Sequence, residues 1–281
     1  MTKKTKSLKM KNREPKIGIA LGSGGVKGLA HIGVLKVLEK NNIPIDFISG
    51  TSIGSIVGAY YALNKEINSL EKIVIHLSKY DLIKLIDFAS PLKSLIAGNK
   101  LMNFIGKIIE NKSFSDTQIP LVIIATDMCT GEEIQIKKGK LTDAVRASIS
   151  LPGIFPPAKI NGKLLIDGGI VNPTPVDIVK KMGADIVIGV DLTMKQYVKI
   201  ENPNIANTIM RAFEILRNKT TKINLNEKNP YMIVIQANKS NVLDTYNFHN
   251  HEFIDEGVKA AEECLPKIKK AIRNWKKKNK K

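Results

Sequence analysis

Residues 45–63 read IDFISGTSIGSIVGAYYAL, and the pentapeptide at their centre, Gly50-Thr51-Ser52-Ile53-Gly54, decides what the rest of the chain must build. Phe47 and Ile48 form a short apolar run that breaks at a glycine, presents one serine, meets a second glycine and continues as small residues. That pattern reads as strand, sharp turn and helix. A serine at such a corner is forced into strained backbone geometry. Bulky side chains two residues to either side would collide, so Gly50 and Gly54 are the residues the turn requires. The Ser52 hydroxyl then stands above the sheet, at the positive end of the following helix. Taken alone, the pentapeptide is equally compatible with a serine that caps a buried helix.

Composition narrows the class. At 281 residues and 43% hydrophobic, the chain can bury a full core. The net charge of +18 lies mostly at the ends, with +6 on residues 1–16 and +9 on residues 267–281, which leaves +3 for the body. A nucleic-acid binder needs a basic face with stacking aromatics; here aromatics are 5% and the basic runs lie outside the periodic segments, so that class is excluded. The basic ends suit attraction to anionic lipid surfaces, or simply solvation. Cys129 and Cys264 show no metal-ligand spacing, and no metal or other cofactor is expected. No apolar segment follows the positive N-terminus as in a secretory signal, and the apolar stretch Phe47–Leu63 is punctuated by Gly and Ser. The expectation is a cytoplasmic protein, at most peripheral to a membrane.

Taken in order, residues 1–15 read as a basic disordered tail. KIGIAL (16–21) is a strand, followed by Gly22-Ser23-Gly24-Gly25-Val26-Lys27-Gly28 and a periodic helix. Backbone N–H groups at such a loop bind negative oxygen. Counted from Gly22 and Gly24, a dinucleotide fingerprint would need glycine at position 27, which is Lys; a P-loop would need Lys then Ser or Thr after Gly28. Both nucleotide spacings fail. Residues 67–80 and 101–110 read as helices, and 81–98 as a flap or a packed connection. Residues 121–126 and 132–137 read as neighbouring strands, and 141–149 as a helix stopped by Pro152. KLLID (163–167) is a strand ending on Asp167-Gly168-Gly169, and ADIVIGVDL (184–192) is a strand covered on both faces. A strand at 231–236 and a closing amphipathic helix at 253–275, bent at Pro266, complete an α/β sandwich with a largely parallel sheet.

Three features then fall at strand ends, where open α/β sheets place their sites: the glycine loop, Ser52 and Asp167. They supply oxyanion donors, a nucleophile and a carboxylate able to accept its proton, the parts needed for acyl transfer. A parallel sheet would bring the ends of the Ser52 and Asp167 strands to one edge.

GSGGVKGLAHIGVL (22–35), GTSIG (50–54), RASISLPGIFPP (146–157) and DGGIVNPTP (167–175) together resemble the patatin-like phospholipases, in their bacterial single-domain branch. The resemblance covers roughly residues 16–265 in family order. It implies a three-layer α/β sandwich, a Ser-Asp dyad of Ser52 and Asp167, and an oxyanion hole from the N–H groups of Gly24, Gly25 and Val26. Gly22, Lys27, Gly28, Gly50, Gly54, Gly168 and Gly169 would support these motifs. The family usually carries Arg where this chain has Lys27, and often Gly where it has Ser23; Lys lacks the planar fork for gripping phosphate. The resemblance implies a lipid acyl hydrolase acting on fatty-acyl esters of phospholipids, lysophospholipids or related glycerolipids through an acyl-enzyme.

Two other readings stand beside it: a non-catalytic, basic-tailed adaptor on the same fold, and a small-ester carboxylesterase. A Ser-acid-His triad is also open, because His249 and His251 follow Asp167. His31 is expected to pack or hydrogen-bond within the first helix and His76 to be structural. The domain reading is a tail at 1–15, a hydrolase domain at 16–266 and a basic helix end and tail at 267–281; oligomeric state is not legible.

Overall fold

The computed structural model describes residues 13–77, 79–87, 94–193, 204–224, 229–237 and 250–280. Among these, the strands are β1 (Ile17–Leu21), β2 (Phe47–Thr51), β3 (Leu121–Asp127), β4 (Glu133–Ile136), β5 (Ala158–Ile160), β6 (Lys163–Asp167), β7 (Ile186–Asp191) and β8 (Met232–Gln236). The helices are α1 (Ala30–Lys40), α2 (Ile53–Asn64), α3 (Asn68–Ile75), α4 (Lys79–Lys84), α5 (Asn99–Ile108), α6 (Leu141–Ser148), α7 (Val176–Met182), α8 (Ile205–Asn224) and α9 (Asn250–Asn279). Short 3₁₀ turns cover Gly25–Leu29, Phe114–Asp116 and Gly168–Ile170.

All eight strands join one sheet, in the order β5-β6-β3-β2-β1-β7-β8 with β4 also on β3. The segment β3-β2-β1-β7-β8 is parallel, and β1 and β7 are buried along their whole length, which is why they read as unbroken apolar runs. One face packs Ile17, Ile19, Leu21, Ile48 and Ile188 under α1, α2 and α9. The other packs Ala20, Val187, Val122 and Ile124 under α7. The result is a three-layer α/β sandwich.

The structure differs from the sequence expectations in several places. β6 runs antiparallel to β3, with Ala125 opposite Asp167, so the two site strands do not meet as parallel neighbours. The expected helix at 67–80 is two helices, α3 and α4. The closing helix, expected over 253–275, runs from Asn250 to Asn279, and Ile268, Ala271 and Trp275 of its basic end are buried. Pro266 lies inside that helix. Most of the expected tail at 1–15 lies outside the described residues, but Arg13 pairs with Asp185 at 2.6 Å and covers the Trp275 ring at 4.9 Å. Residues 88–93 of the expected flap also lie outside; the described part is tied down, with Leu95 and Ile96 donating to the carbonyls of Gly153 and Ile154. No helix among the described residues is long and apolar enough to cross a membrane.

Candidate active site

Ser52 sits between β2 and α2 with φ 54° and ψ −126°, a backbone conformation that side-chain-bearing residues rarely adopt. The corner closes because the flanking positions are bare. A Cβ on Gly50 would run into the Gly54 carbonyl, and one on Gly54 into the Leu21 carbonyl at the end of β1. The serine is thereby lifted from the sheet, and its Oγ donates to Oδ2 of Asp167 at 2.7 Å.

Asp167 ends β6 and opens the Gly168–Ile170 turn. It is 2% exposed, and its Oδ1 accepts the Gly169 N–H at 2.7 Å. Burial pushes the carboxyl up to about 6, against the Ser52 and Gly169 hydrogen bonds and the charge of Arg217, which favour ionisation. The 2.7 Å contact leaves no room for an imidazole between Ser52 and Asp167. His251 is exposed at the start of α9, and His249 lies outside the described residues.

The glycine loop crosses beside this pair. Gly24 packs on Leu192, where a Cβ would lie 2.5 Å from Cδ1, while Gly25, at φ 56°, faces open space. Gly25 and Val26 are exposed at the head of the first 3₁₀ turn, where backbone N–H groups have no carbonyl within the turn to satisfy them. Gly22 donates to Val190 O, Ser23 to Pro173 O, and Gly28 lies against Ile53. His31, fully buried, holds the loop from behind with Nε2 2.7 Å from Gly22 O; burial lowers it to about 4, so the ring is neutral and Nε2–H donates. Lys27 is buried rather than presented to solvent. Burial lowers its pKa, and the nearby charges are Glu214, Arg217 and Glu256.

The four sequence blocks form one connected hydrogen-bonded network here, which the glycine loop joins through the Ser23 N–H to Pro173 O bond. Thr51 Oγ1 donates to Asn172 O at 2.8 Å, joining the serine corner to the Asp167 block. Residues 146–157, for which the sequence reading named no site residue, join both sides. Ser148 Oγ accepts the Ser52 N–H at 2.8 Å and donates to Ile124 O at 2.6 Å, while Ser150 O accepts the Asp167 N–H at 2.9 Å. Arg146 fixes that segment through Ser150 Oγ and Pro156 O. The sequence reading also passed over α8, which lies on the Gly168–Ile170 turn and brings Phe213 against Gly169. Its N-terminal signal was present: Asn204 Oδ1 accepts the Asn207 N–H at 2.8 Å, a capping bond ahead of an apolar-periodic run.

The sequence matches the family model described as patatin-like phospholipase over residues 19–180. Among curated proteins it is 32% identical over 178 residues to an uncharacterized NTE family protein of Mycobacterium tuberculosis, covering 63% of this chain and 49% of that one. It is 36% identical over 181 residues to human patatin-like phospholipase domain-containing protein 6, covering 63% of this chain and 13% of that one. The chain thus spans half or less of the length of these relatives. Among solved structures it is similar to VipD from Legionella pneumophila, with TM-score 0.63, 13% identity, and coverage of 91% of this chain and 67% of that one. It is also similar to the ExoU-SpcU complex of Pseudomonas aeruginosa, with TM-score 0.53, 15% identity, and coverage of 93% and 53%. With more than half its length inside the family match, the chain belongs to the patatin-like phospholipase family.

Proposed function

We propose that the chain is a serine lipid acyl hydrolase that cleaves fatty-acyl esters of phospholipids, lysophospholipids or related glycerolipids. The observation that carries this reading is the 2.7 Å hydrogen bond from Ser52 Oγ to Asp167 Oδ2 at a corner with φ 54°. In the proposed cycle Ser52 Oγ attacks the ester carbonyl carbon and its proton passes to Asp167. The oxyanion is held by the N–H groups of Gly24, Gly25 and Val26. Collapse expels the alcohol, which takes the proton from Asp167, and leaves the acyl group on Ser52. Water then attacks that ester with Asp167 as base, releasing the fatty acid.

An ordinary carboxylate near 4 is a poor base for a hydroxyl. Burial of Asp167, which pushes it up to about 6, supports the dyad because it brings the carboxylate closer to working pH while leaving it ionised at neutrality. Family membership supports the lipid ester class.

A serine-directed fluorophosphonate tests the reading. Ser52 should be labelled and Ser52→Ala should not, whereas a non-catalytic adaptor stays unlabelled. A chain-length series of acyl esters then separates a lipid hydrolase from a small-ester carboxylesterase. The double change of His249 and His251 to Ala should retain most turnover; a loss of several orders of magnitude in a folded variant would overturn the dyad in favour of a triad.

A further inference from the structure

Arg217 lies in the interior, 4% exposed, on α8. Phe213 and Thr220 recur with it at helical spacing and share its face. They turn that face onto the Asp167 turn, Phe213 by packing against Gly169 and Thr220 by a 3.5 Å contact of its hydroxyl with Ile170 O. The guanidinium Nε has no hydrogen-bond partner among the described residues. A buried cation with an unmet donor is strongly unfavourable unless carboxylates face it. Those within electrostatic reach are Glu214, Asp191 and Asp167. Glu214 is engaged by Arg211 at 3.2 Å, and Asp191 by the N–H and hydroxyl of Thr193 at 2.9 Å each. Asp167 accepts from two neutral donors, Ser52 and Gly169.

We propose that Arg217 is a positioning residue for the acyl-transfer site: its charge, carried in on α8, keeps buried Asp167 as a carboxylate. The role presupposes that Asp167 is the base. The other charged groups around the site are otherwise committed. Lys27 of the glycine loop is disfavoured as a cation by burial and by Arg217 itself, and faces Glu214 and Glu256. Asp127 and Lys163 pair with each other at 2.8 Å on the β3–β6 rim. Arg146 is held by Ser150 and Pro156. Among the buried cations of the described residues, Arg217 is the one on the helix that packs against the Asp167 turn.

The test titrates Asp167 directly in the full chain. Aspartate is labelled with ¹³C at Cγ, and the Asp167 resonance is identified by its loss in Asp167→Asn. Two neutral replacements of different polarity, Arg217→Met and Arg217→Gln, should each move the Asp167 midpoint upward, the direction expected when an opposite charge is withdrawn. Arg217→Lys should restore most of it. The acid limb of ester hydrolysis should move in step with the midpoint. An unmoved midpoint in either folded neutral variant overturns the inference, as does a Lys variant that behaves like Met. Because the titration needs no turnover, an inactive wild-type chain would count against the proposed hydrolase alone, leaving the coupling of Arg217 to Asp167 to stand or fall on its own shift.

Discussion

The Ser148 hydroxyl accepts the backbone N–H of Ser52 at 2.8 Å, and the same hydroxyl donates to Ile124 O on the strand between Ser52 and Asp167. A strained corner is thus pinned by a side chain from α6. Ser148→Ala leaves the Ser52 N–H without its acceptor, at a cost of about 1–3 kcal/mol in urea unfolding. Fluorophosphonate labelling should slow on the order of tenfold or more, because the nucleophile loses its fixed position. A folded variant labelled at the wild-type rate would show that the strand and glycines alone hold the corner.

Asp167→Asn should separate activity from stability. Turnover should be nearly abolished, since an amide cannot take the serine proton. The folded carboxyl titrates at about 6 against 3.8 in the unfolded chain, so its contribution to stability is full below 3.8 and is lost as pH rises through 6. The amide carries no charge to desolvate. It should therefore gain up to about 3 kcal/mol over wild type at pH 8 and gain nothing near pH 3, as read by urea unfolding at the two pH values. A variant less stable than wild type at pH 8 would contradict the buried-charge account.

The glycine loop predicts a contrast between neighbours. Gly25 faces open space, so Gly25→Val should meet no side chain and cost about 1–2 kcal/mol for its left-handed backbone. Its N–H and those beside it would nevertheless shift, and turnover should fall about 100-fold or more. Gly24→Ala collides with Leu192 and should cost more stability than the Gly25 change. Full turnover by folded Gly25→Val would make the loop a mere strand-to-helix connection.

The basic end must be tested by neutralising charge, not by cutting. Deleting residues 267–281 removes Ile268, Ala271 and Trp275 from the core, and losing the Trp275 side chain alone is expected to cost about 3–5 kcal/mol. Changing Lys276, Lys277, Lys278 and Lys280 to Gln should instead leave thermal melting intact. Binding to anionic vesicles should then weaken by up to about 1 kcal/mol for each lysine engaged. Trp275 is the single tryptophan, so its fluorescence reports whether the helix end stays seated. Unchanged vesicle binding would assign the charge to solubility.

Ser52 and Asp167 were legible because glycine pairs mark tight strand-to-helix corners, but the sequence argument for why they meet was incomplete. It placed both at one edge of a parallel sheet, whereas β6 is half of a hairpin that enters antiparallel and stops at Asp167, level with Ala125. The signal for that hairpin is Asn161-Gly162, whose φ angles of 49° and 80° are those of a primed two-residue turn. Ser148 and Arg217 were out of reach for a different reason. A serine hydroxyl bridging two backbones and an arginine inside a helix carry no local pattern, and their roles exist only once α6 and α8 are packed on the site.

The course of α9 gives the molecule a direction. The helix begins beside the glycine loop, with Gly257 against Ala30, passes Asn41 through Lys269, and ends where Lys276 meets Glu14 at the opposite rim of the sheet. From Gly257 to Lys276 the helix rises about 30 Å, so its terminal lysines stand at the far side of the sheet from Ser52. The positive charge of these lysines therefore acts at the rim remote from the Ser52–Asp167 pair, so whatever the far rim attracts is held away from the serine corner.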